Sequence, residues 1–183
     1  MASDFSIRRA AYIIRCGGII AYPTETIYGL GCNPLDAAAV EKINTIKQRP
    51  LNKQFILLAG HIDQIKPLIN LSDEQENLIR QTSEPTSWIV DASTQAPAWL
   101  TSPENTLTIR ISKNNLVKKL CHTLRHAVIS TSANLTGKPP AKNNLEIQKY
   151  FGGILDMTLA TNKKLNAKPS KIIRLCDNHI IRN

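Results

Sequence analysis

Ala21-Tyr-Pro-Thr-Glu-Thr-Ile-Tyr-Gly-Leu-Gly31 is where the fold is decided. It continues an apolar run from Gly18 to Tyr22 that is short and apolar enough to be a buried strand. Pro23 ends that strand, and Thr24, Thr26 and Tyr28 place a group of hydroxyls directly after it. Gly29 and Gly31 carry no Cβ, so they suit a tight turn or a close approach to a ligand. After Asn33-Pro34, residues Asp36 to Lys47 read as a helix with an acidic cap and strong helix formers. The predicted order is strand, polar loop with glycines, helix. In open α/β sheets ligands collect at the carboxyl ends of strands. The helix then delivers Lys47, Arg49 and Lys53 into a second polar loop, suited to an anionic ligand.

Working outward, Phe5 to Cys16 has apolar residues at three-and-four spacing and predicts an amphipathic helix. Gln54 to Ala59 reads as a strand, Ile62 to Ile69 and Asp73 to Gln81 as helices, the latter capped by Ser72. Trp88 to Asp91 is a short strand, and Thr106 to Ser112 alternates as a strand that carries Arg110. A helix over Asn115 to Arg125 precedes the strand Ala127 to Ser130. Then comes a second hydroxyl-rich loop, Thr131 to Gly137. Leu145 to Phe151 predicts a short helix and Ile154 to Ala160 a strand. The chain finishes in a hairpin of Ile172 to Leu175 with His179 to Arg182. Without repeats or low-complexity linkers, residues 1–183 are expected to form one mixed α/β (α+β-like) domain.

A chain of 183 residues, 42% hydrophobic and 20% charged, can bury a real core, which excludes a disordered protein. The net charge of +9 predicts attraction to polyanions or anionic small molecules. Cys16, Cys32, Cys121 and Cys176 have no C-x-x-C spacing, so zinc-ribbon and thioredoxin chemistry fall away and reduced, mostly buried thiols are expected. The first residues lack a secretory pattern, and no apolar run approaches the roughly 18 residues of a membrane span. The expected location is cytoplasmic, with no membrane partner.

Three polar loops flank apolar strands: Thr24–Tyr28, Lys47–Lys53 and Ser130–Asn134. Each alone reads as turn chemistry; three in one small domain point to a site. Arg49 offers a planar fork to phosphate or carboxylate, and Lys47 a movable point charge, although basic residues also suit a helix C-terminus. There is no Walker loop and no dinucleotide fingerprint. His122 and His126 lack the context of a metal site, and Ser132 lies in Ser-Thr-Ser-Ala-Asn, not in a nucleophile elbow. With 5% aromatics there is little basis for a base-stacking platform.

Pro23-Thr-Glu-Thr-Ile-Tyr-Gly-Leu-Gly31, Lys47-Gln-Arg-Pro50 with Lys53, Arg110 in Thr-Ile-Arg-Ile, Ser130-Thr-Ser-Ala-Asn134 with Gly137, and Pro169-Ser170 closely resemble the YrdC/TsaC family. Order and spacing match over essentially the whole chain, in the manner of the short, single-domain bacterial form. The resemblance implies a twisted open sheet flanked by helices, with a basic concave surface. It also implies an activity: threonylcarbamoyl-AMP synthesis from L-threonine, bicarbonate and ATP, releasing pyrophosphate. The product would feed the N6-threonylcarbamoyladenosine modification at tRNA position 37 through the tRNA threonylcarbamoyl-transferase machinery.

By the same resemblance Lys47 and Arg49 would be catalytic. Thr24, Tyr28 and Ser170 would hold threonine and bicarbonate, and Lys53, Arg110, Ser130, Ser132 and Asn134 would hold ATP. No protein metal site is expected, and Mg²⁺ would ride on ATP. Two departures stand out. The family's Trp-Pro-Gly-Pro segment is here Thr82-Ser-Glu-Pro-Thr-Ser-Trp88, and the tail Leu175-Cys-Asp-Asn-His is short and divergent. The competing expectations are a non-catalytic module whose basic cavity holds RNA or nucleotide, with weak RNA affinity compatible with either, and a carbamoyl- or acyl-phosphate enzyme that turns over without threonine.

Overall fold

The computed structural model describes residues 2–48, 54–161, 165 and 169–183. Helix α1 (Asp4–Arg15) opens the chain, its first turn capped by the Ser3 hydroxyl, which accepts from the Ser6 amide at 3.2 Å. Strands β1 (Ile20–Pro23) and β2 (Tyr28–Gly31) follow. Helix α2 (Ala37–Lys47) starts at the Asp36 carboxylate, which accepts from the Ala39 amide at 3.1 Å. It stops at Gln48, whose φ of 49° is left-handed. Next come β3 (Ile56–Ala59), two short 3₁₀ turns, β4 (Ile69–Asn70), α3 (Asp73–Gln81), β5 (Thr86–Ala92) and β6 (Thr106–Ile111). The chain continues with α4 (Asn115–Leu124), β7 (Val128–Ser132), α5 (Asn144–Phe151), β8 (Met157–Thr158), β9 (Lys171–Arg174) and β10 (Ile180–Arg182).

The described strands form one mixed sheet in the order β10-β9-β5-β6-β3-β7-β2-β1-β8, with β4 added against β5. The pairs β3–β6, β5–β9 and β1–β8 are parallel and the rest antiparallel. Alternation divides the sheet into two faces. Leu57, Ile109 and Ile129 point to one face and pack with Ala39, Val40 and Ile43 of α2. Leu58 and Val128 point to the other, where Ile7, Ala10, Ala11 and Ile14 of α1 meet Val117, Leu120 and Leu124 of α4. Those two helices cover only part of that second face. Thr108, Arg110 and Ser130 lie on the same face, beyond the helices, and line a cavity.

The structure departs from the sequence expectations in five places. Pro23 ends β1, but the chain returns at once as β2 in an antiparallel hairpin, so Tyr28 to Gly31 is a strand and not a loop. Gly29 and Gly31 do not turn the chain. A Cβ on Gly31 would lie 2.6 Å from Ile129 O and 2.6 Å from Tyr22 Cε1, so glycine there is required by close packing. The expected helix Ile62 to Ile69 is instead the two 3₁₀ turns and β4, because Pro67 cannot donate within a helix. The hydroxyl loop begins later than expected, since β7 runs through Ser132 and pairs with both β3 and β2. The strand over Ile154 to Ala160 contracts to β8.

Candidate active site

The turn joining β1 to β2 is built by its own hydroxyls. Thr24 Oγ1 donates to Ile27 O at 2.8 Å, accepts from the Thr26 amide at 3.1 Å, and meets Thr26 Oγ1 at 3.1 Å. This locked turn forms one wall of a cavity of about 280 Å³. Thr24, Thr26 and Tyr28 line it from that side, and Thr108 and Arg110 from β6. Ser130, Thr131 and Ser132 of β7 form the floor, and Pro169, Ser170 and Arg182 close the far side. Six residues singled out from sequence therefore share one cavity: Thr24, Tyr28, Arg110, Ser130, Ser132 and Ser170.

Lys47 and Asn134 stand behind the wall. The Lys47 ammonium is almost wholly buried and donates to Ser132 O at 2.5 Å, Asn134 O at 2.8 Å and Asn134 Oδ1 at 3.2 Å. Asn134 Oδ1 also accepts from Ser132 Oγ at 2.6 Å, while its Nδ2 donates to Lys138 O at 2.6 Å and Leu135 O at 3.1 Å. The end of α2 thus clamps the loop after β7 and holds the Ser132 hydroxyl in one direction. Arg49 and Lys53 lie outside the described residues.

Arg110 is 5% exposed, and its Nε is buried with no hydrogen-bond partner. Its Nη2 donates to Glu25 Oε2 at 2.6 Å. Burial works against the charge on Glu25, but Arg110, the Ser112 hydroxyl and backbone amides outweigh it and hold the carboxyl below its usual range. Burial lowers the Arg110 guanidinium despite Glu25. The Arg182 guanidinium, lowered by burial and then by Arg110, reaches back to Ser170 O through Nη2 at 2.7 Å and Nε at 3.1 Å. Two guanidinium groups, and no carboxylate among the described lining residues, make this an anion-receiving cavity. Tyr28 accepts from the Thr161 amide at 3.2 Å, and burial raises its phenol. Burial pushes the Cys32 and Cys121 thiols up to about 12, which favours the neutral thiol, whereas Cys16 and Cys176 are exposed, unlike the mostly buried thiols expected.

A larger hollow of about 1230 Å³ adjoins the cavity and shares Gln54, Thr108 and Ile172 with it. Its lining includes Asp91, Glu104 and Arg174, so its charge is mixed and the basic character is concentrated at the smaller cavity. The altered segment at Thr82–Trp88 enters β5, and Ser87 Oγ meets Ser170 Oγ at 2.9 Å inside the core. No group of three or more metal-ligating side chains occurs among the described residues. Glu25, the carboxylate beside the cavity, is already committed. Among the described residues, a metal held by protein carboxylates at this cavity therefore does not fit.

Sequence reasoning missed Glu25, Thr108, Gln54, Ser87 and Arg182 as parts or supports of this site. Thr108 had a signal, since the alternation of Thr106 to Ser112 puts it on the face of Arg110. Arg182 had none, because its approach depends on how the last hairpin folds back over Ser170.

A mixed sheet with one partly uncovered face, gathering hydroxyls and two guanidiniums around a cavity, defines an α/β protein whose cavity has the charge to suit small anions. The chain belongs to the Sua5/YciO/YrdC family, described as telomere recombination, whose model matches residues 12–183. It is 39% identical over 178 residues to a protein of Cellvibrio japonicus (strain Ueda107) named threonylcarbamoyl-AMP synthase, covering 96% of this chain and 94% of that one. Among solved structures it is similar to E. coli YciO, with a TM-score of 0.89 and 26% identity over 99% of this chain and 90% of that one. P. abyssi Sua5 complexed with L-threonine matches with a TM-score of 0.88 and 28% identity over 95% of this chain. This chain covers 52% of that protein, about half its length.

Proposed function

We propose that this chain is a threonylcarbamoyl-AMP synthase, a nucleotidyltransferase of tRNA modification. The observation that carries the reading is the cavity where Arg110, the β7 hydroxyls and Ser170 converge, in a chain with a nearly full-length relative of that name. The threonine amine attacks the carbon of bicarbonate, and water departs to leave N-carboxy-threonine. A carbamate oxygen of that species then attacks the α-phosphorus of ATP and pyrophosphate leaves. Every reactant is anionic or zwitterionic, so the protein's task is orientation and charge neutralisation.

Ser170, Thr24 and Tyr28 take the threonine end. Arg110, Ser130 and Ser132 serve the carboxylate and phosphate oxygens, with Asn134 and Lys47 fixing Ser132 from behind. Arg49 and Lys53 supply further positive charge, and Mg²⁺ arrives on the triphosphate. The setting is the cytoplasm, the product passing to the tRNA threonylcarbamoyl-transferase machinery; no helix among the described residues is long and apolar enough to cross a membrane. The test is pyrophosphate release from ATP with threonine and bicarbonate omitted one at a time. Release that needs both supports the reading, and release independent of either one sinks it.

A weak affinity for RNA goes with this function on grounds of charge. Helix α1 carries the exposed Arg8, Arg9 and Arg15, and the adjacent α4 has Lys113, Lys118, Lys119 and Arg125 on or beside it. Asp4 is the one acidic residue of these two helices, and Lys119 pairs with it at 2.7 Å. Binding through these residues should weaken steeply as salt rises, and an RNA affinity indifferent to salt would contradict it.

A further inference from the structure

Glu25 sits between Thr24 and Thr26 on the turn that walls the cavity, and its carboxylate bonds to Arg110 of β6 and to the junction of β6 with α4. Its Oε2 accepts from Arg110 Nη2 at 2.6 Å. Its Oε1 accepts from Ser112 Oγ at 2.6 Å, the Lys113 amide at 2.6 Å and the Asn114 amide at 3.0 Å. A single side chain therefore joins three parts of the molecule: the cavity turn, the guanidinium on β6, and the β6–α4 junction. Few other arrangements would satisfy it, because Oε1 already has three donors and Oε2 has one charged donor at short range.

The consequence falls on Arg110. Its side chain is 6% exposed, and Glu25 is the carboxylate that pairs with it. The pair fixes one end of the guanidinium while Nε stays without any acceptor from the described protein. A buried charged donor lacking an acceptor is costly, so the short contact with Glu25 is what the guanidinium depends on to stay in place. We propose that Glu25 is the positioning residue of this site, holding Arg110 by Nη2 so that the guanidinium keeps one orientation at the cavity it lines, ready for an anionic substrate group. Glu25 touches no substrate; it acts through Arg110. The substrate part of this inference rests on the synthase reading, whereas the orientation of Arg110 does not.

Glu25→Gln tests it, since the amide keeps the size and one acceptor but removes the charge facing Arg110. In ¹⁵N-labelled protein the Arg110 Nε–H resonance, identified by its loss in Arg110→Lys, should exchange slowly with solvent. In Glu25→Gln that exchange should quicken about tenfold or more. In the pyrophosphate assay KM for threonine should rise about tenfold with a much smaller change in kcat. The double variant Glu25→Gln/Arg110→Lys should be within about twofold of Arg110→Lys alone, as coupled sites require.

A folded Glu25→Gln protein with wild-type exchange and wild-type KM would overturn the proposal, as would multiplicative losses in the double variant. If Glu25→Gln does not fold, Glu25→Asp gives the same reading. The shortened carboxylate should still quicken exchange at Arg110 Nε, and unchanged exchange would overturn the role. Should the wild-type protein release no pyrophosphate, the synthase reading falls, while the exchange measurement still decides what Glu25 does.

Discussion

Lys47 illustrates how a binding motif and a structural clamp can be the same residue. Its aliphatic stem lies in the protein at the end of α2, and its ammonium reaches Ser132 O, Asn134 O and Asn134 Oδ1. A substitution there acts first on the loop that orients Ser132. Lys47→Met, which keeps the stem and removes the charge, should cost about 1.5–3 kcal/mol, the usual scale for hydrogen bonds to a charged group. Thermal unfolding should show a lower Tm, and the pyrophosphate assay a lower kcat/KM. An unchanged Tm would show that the clamp contributes nothing to the fold. At this scale Arg110, Ser132 and Ser170 were singled out through the family resemblance, and the fold brings all three to one cavity. Lys47 was noticed for its charge, but nothing in its spacing told that three acceptors on a distant loop would be waiting for it. Glu25 was hidden for the same reason, since its partners are more than eighty residues away along the chain.

At the scale of elements, the β1–β2 hairpin is the part on which the cavity depends, and Gly31 is its tightest point. Two obstacles face any side chain there, Ile129 O and the Tyr22 ring, each 2.6 Å from where a Cβ would sit. The ring cannot retreat easily, because Tyr22 is fully buried and its hydroxyl donates to Ile129 O at 3.1 Å. Gly31→Ala should therefore destabilise by about 1–3 kcal/mol, as overpacking does, and an unaltered Tm would contradict this packing argument. The helices were legible from periodicity and, at α2 and α3, from the caps Asp36 and Ser72, whereas the caps Ser3 and Asn114, which also accept from first-turn amides, were not read. The second strand of the hairpin was not. Tyr-Gly-Leu-Gly is four residues long and half glycine, so its extended state follows from its neighbours β1 and β7 and not from its own propensity. Pro67 was visible, and its power to break the expected helix was underweighted.

At the scale of the whole molecule, the arrangement follows from unequal coverage of one sheet. One face is packed with α2 and the 3₁₀ turns, while α1 and α4 cover only part of the other. What they leave open is a polar surface lined from β6, β7, the first turn and the last hairpin, and no single local stretch encodes it. The family resemblance supplied this architecture in advance, since composition and periodicity could supply only its pieces. The net charge of +9 was read as a preference for anions, but its distribution, two arginines at the cavity and a basic α1–α4 surface, needed coordinates. The central claim is that this cavity joins threonine, bicarbonate and ATP. The most direct measurement is the pyrophosphate assay run with ¹³C-bicarbonate and the nucleotide product weighed by mass spectrometry. The account predicts pyrophosphate release only with all three substrates, and a product containing AMP, threonine and one ¹³C. A threonine–AMP adduct without the labelled carbon, or pyrophosphate released without threonine, would contradict it.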